Sequence, residues 1–83
     1  MNTNYPDSQF ESKVLDFTLM AFNILNKLLL YTAAKCVTAS QICGVTKEVE
    51  NIIEKAKYDK INNDSRVENI INILWDAVDL FVA

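Results

Sequence analysis

The sequence predicts an all-α fold, a small bundle of three principal helices, and three observations carry that expectation. One Gly and one Pro in 83 residues leave few positions that break a helix. Apolar residues make up 51% of the chain and recur at intervals of three and four. Three Ser/Thr-x-x-Glu/Gln pairs each head an apolar-periodic stretch: Ser8 with Glu11, Thr38 with Gln41, and Ser65 with Glu68. In such a box the first side chain satisfies an orphan amide of the first helical turn and the second reaches back to the cap.

The first helix is expected from Ser8 or Gln9 to about Lys35, with residues 1–7 disordered or extended before it. At 100° per residue, Phe10, Val14, Phe17, Ala21, Ile24, Leu25 and Leu28 share one side. Leu15, Phe22, Leu29 and Ala33 widen that side, and Leu19 and Leu30 lie further round. Only Ser12, Asp16, Asn23 and Lys27 form a polar strip, so this helix is central to the fold or buried against another copy.

The second segment runs from Thr38 to about Tyr58 with a narrow apolar stripe of Ile42, Val45, Val49, Ile52, Ile53 and Ala56. Gly44 interrupts it. A Gly inside a helix costs about 1 kcal/mol against Ala, so Gly44 either stays helical or turns the chain into a fourth helix starting at Thr46. Asp59 to Asp64 is the clear loop. The third helix follows from Ser65, with Val67, Ile70, Ile71, Leu74, Val78 and Phe81 on one face and Ile73, Ala77, Leu80 and Val82 widening it. The whole of 1–83 reads as one helical domain.

The net charge of −3 argues against a basic nucleic-acid footprint and fits a protein that meets a basic partner. Residues 1–5 carry no basic n-region, and the uncharged apolar run from Phe17 stops before Lys27. The expectation is a cytoplasmic protein without a membrane span. Cys36 and Cys43 are expected to be small buried thiols; seven residues apart on one helix they stand ~10.5 Å apart, too far for a disulfide. With no His in the chain there is no Cys–His nucleophile and no ordinary zinc site, and no cofactor is expected.

The sharpest constellation lies on the third helix. Glu68, Asn72, Trp75 and Asp79 fall within an arc of about 60°, and Asp76 borders it. The one Trp of the chain is framed by carboxylates. Trp is a frequent interface anchor, and acids around it steer a basic partner. Asp76 and Asp79 also crowd the helix C-terminus, where the macrodipole disfavours anions. The bland alternative is a Trp that folds back over the core beside a solvated acidic face. The same oxygens could meet a metal, but a single helix face is a poor cage, and no metal is expected.

Two other readings stay open. The run Thr38–Lys57 resembles a DNA-binding helix-turn-helix if Gly44 is a turn, although Glu48, Glu50 and Glu54 would face phosphate and only Lys47, Lys55, Lys57, Lys60 and Arg66 could meet it. A small-ligand or nucleotide sponge would stack a base on Tyr31 or Tyr58 and hold a phosphate with Lys35 or Lys27. The favoured expectation is a non-enzymatic protein-interaction module of inhibitor, immunity or adaptor type. It would occlude another protein and self-associate, as a homodimer or higher oligomer, through its first and third helices.

Overall fold

The computed structural model describes residues 5–35 and 37–82. Among them the chain forms three helices and no strand: α1 (Tyr5–Ala34), α2 (Ala39–Tyr58) and α3 (Ser65–Val82). They run up, down and up. Arg66 at the start of α3 meets Glu11 near the start of α1, and Phe81 at the far end of α3 lies beside Leu25 and Leu28. The result is a rod 52 Å long and under 20 Å wide.

The core is the one the apolar spacing predicts. Val14, Phe17, Ala21, Ile24 and Leu28 of α1 meet Val45, Val49, Ile52 and Ala56 of α2 and Val67, Leu74 and Val78 of α3, all buried. Ile61, in the loop, is also buried, which helical periodicity could not assign. Two of the three predicted capping boxes do not form. α1 begins at Tyr5, three residues before Ser8, because Pro6 suits a first turn, where its missing N–H has no intrahelical acceptor. That places residues 5–7 in a helix rather than in an extended tail, while residues 1–4 lie outside the described ones. Ser8 is then inside the helix, and both Glu11 oxygens are taken by Arg66. At α3 the cap is Asp64: its Oδ1 accepts the Arg66 N–H at 2.8 Å, and its carbonyl accepts the Glu68 N–H at 3.0 Å. Glu68 is thereby left out of any cap.

The Thr38 box forms as expected, with Gln41 N–H donating to Thr38 Oγ1 at 3.1 Å and Thr38 N–H donating to Gln41 Oε1 at 2.8 Å. The fourth helix does not exist. α2 passes through Gly44 unbroken, and Thr46, the expected second cap, donates its hydroxyl to the Ile42 carbonyl one turn back. The physical reason is packing. Val45 and Val49, just after Gly44, are buried, and burying one Val fully gains about 1.5–3 kcal/mol, more than the Gly cost. α2 ends in a Schellman turn: Lys60 N–H donates to Lys57 O at 3.1 Å and Ile61 N–H to Ala56 O at 3.0 Å. Lys60 takes the left-handed conformation there, φ 61°, and the buried Ile61 packs over the buried Ala56.

Ser8–Ala34 is by length and composition apolar enough to cross a membrane, so counting only the run before Lys27 understated it. One side of it forms the core just described. Cys43 is exposed, on the side of α2 away from Val45 and Val49, and is no buried thiol; Cys36 lies outside the described residues.

Two stability changes follow. A Cβ at Gly44 meets nothing within 4 Å, so Gly44→Ala should stabilise the fold by about 1 kcal/mol, or a rise of about 4–8 °C in Tm. A lower Tm would mean that α2 breaks there. Lys60→Gly removes the left-handed cost of a side chain and should raise the unfolding free energy by up to about 1 kcal/mol, read as a higher urea midpoint.

Candidate functional site

The structure brings the predicted constellation onto one flank of α3. Val67, Leu74 and Val78 point into the core, and residues about 100–160° round from Leu74 face outward on the side toward α2. Glu68, Asn72 and Asp79 fall in that arc with Trp75, and all three are exposed. Asp76 is also exposed, a little further round. Trp75 is half-buried and packs against the core, so one part of the ring is fixed by apolar neighbours while the rest stays accessible. Trp75 therefore covers part of the core and borders the acids.

The acids are unpaired. Among the described residues neither Glu68, Asp76 nor Asp79 makes an ion pair, and the last sixteen residues contain no Lys or Arg. Most other charges on the bundle are matched. Lys27 binds Glu48 across α1 and α2, Lys55 binds Asp59 at 2.9 Å, and Lys57 lies 3.5 Å from Glu54. These partners hold Lys27 and Lys55 above the ordinary lysine range, through the hydrogen bond to Glu48 and to Asp59 respectively.

Arg66 is the most heavily engaged group. Its guanidinium forks onto both Glu11 oxygens at 2.7 and 2.8 Å and onto Asp64 at 2.8 and 3.0 Å. The hydrogen bond from Arg66 depresses Glu11 below the usual carboxylate range and, with the backbone N–H groups of Arg66 and Val67, takes Asp64 down to about 2. Arg66 itself is pushed up.

The rival sites fare differently. The unbroken α2 removes the turn that a helix-turn-helix in Thr38–Lys57 requires. Of the five cations that could meet phosphate, Lys55, Lys57 and Arg66 already hold carboxylates. For a nucleotide site, Lys27 is held by Glu48, and Tyr58 ends α2 at the opposite end of the rod from Tyr31. No group of three or more His, Cys, Asp or Glu side chains close enough to share a metal occurs among the described residues.

The apolar surplus expected on the first and third helices gathers on one surface. An apolar groove of about 310 Å³ opens between Leu25, Leu28, Leu29 and Thr32 of α1 and Ala77 and Leu80 of α3. The signal was present as the excess apolar arc of both helices. Comparison with known families, curated proteins and solved structures returned no match.

The Arg66 cluster makes a pH prediction. A carboxyl with a depressed folded-state pKa holds fewer protons folded than unfolded, so stability rises with pH through that window. The contribution of Asp64 and Glu11 is complete above about pH 5 and is lost as pH falls toward about 2. Asp64→Asn should flatten the acid limb of urea midpoints measured between those limits; an unchanged limb would mean that the cluster does not form in solution.

Proposed function

We propose that this chain is a non-enzymatic protein-interaction module that binds and occludes a basic partner with the α3 flank of Glu68, Asn72, Trp75, Asp76 and Asp79. One observation carries the reading: three carboxylates stay unpaired beside a half-buried Trp on a bundle where most other charges are matched. Glu68 lies in the first turn of α3, but Asp79 lies in the last, where the macrodipole is negative and an unpaired acid costs stability. A positively charged surface would relieve that cost on binding and be steered toward it. Trp75, held from beneath by the core, supplies area with little rotamer entropy left to lose. Glu68 is free for this because Asp64 caps α3 instead of Ser65.

Mechanistically the module would act by steric cover and charge, with affinity falling as salt rises. Nothing in the reading calls for a cofactor. Its setting would be cytoplasmic, where an exposed thiol such as Cys43 stays reduced.

The test is a comparison of proteins retained from native lysate by the wild-type chain and by two variants. Asp79→Lys reverses an exposed charge, and Trp75→Ala removes the anchor. Thermal melts verify that each still folds. Both variants should lose the retained proteins, and the wild type should release them at high salt. Retention of the same proteins by both folded variants would sink the reading.

A further inference from the structure

We draw no further inference here: the strongest candidate, the exposed apolar stripe of Leu15, Leu19, Phe22 and Leu29 on α1 that runs into the groove between α1 and α3, carries nothing because nothing in the structure shows what covers it.

Discussion

The constraint on which this structure depends is that a three-helix bundle can cover only one side of α1. In a triangular arrangement each helix meets its two neighbours over a limited arc. α1 is apolar over more than that arc. The bundle takes the row from Val14 through Phe17, Ala21 and Ile24 to Leu28, and it leaves Leu15, Leu19, Phe22 and Leu29 outside. Both rows repeat at threes and fours. The choice between them is made by α2 and α3, whose single stripes and polar rims fit only one side. Lys27 must reach Glu48 on the α2 side, and Glu11 must reach Arg66 on the α3 side. Those two bonds bracket the buried row and exclude the other.

The polar groups therefore set register more than stability. Exposed ion pairs contribute little on their own, but Arg66 is fixed from three directions: its own backbone N–H on Asp64, its fork on Asp64 and its fork on Glu11. This ties the start of α3 to the start of α1 and sends the two helices parallel. The Schellman turn at Lys60 performs the matching task at the end of α2, because it folds Ile61 back onto Ala56 and so aims the chain at Asp64. Two short polar motifs, six residues apart, determine how the third helix returns.

Much of this was legible in the residues, for identifiable reasons. The core rows on all three helices follow from spacing because each element is long enough for a period to show. Thr38–Gln41 was legible because no other group competes for either side chain. Ser8–Glu11 and Ser65–Glu68 look the same in sequence, but Arg66 takes Glu11 and Asp64 takes the cap, and both partners are tertiary or one residue out of register. Gly44 was ambiguous because its cost is local while the gain from Val45 and Val49 depends on partners that sequence does not reveal. Ile61 was illegible for a related reason: a single apolar residue in a loop has no period. On α3 the arc holding Glu68, Asn72, Trp75 and Asp79 could be read from spacing, but not the half-burial of the ring or the release of Glu68 from capping.

The surface that remains is divided. On α3, Ile73 and Leu80 look toward α1, while Glu68, Trp75 and Asp79 look toward α2, so a helix of 18 residues separates an apolar flank from an acidic one. The separation has a physical basis. Carboxylates beside the apolar seam would be desolvated by whatever covers it, at a cost of several kcal/mol each. Apolar side chains among the acids would weaken the field that attracts a basic partner. Keeping the two apart lets one flank close by burial and the other by charge, and neither closure needs the other to have occurred.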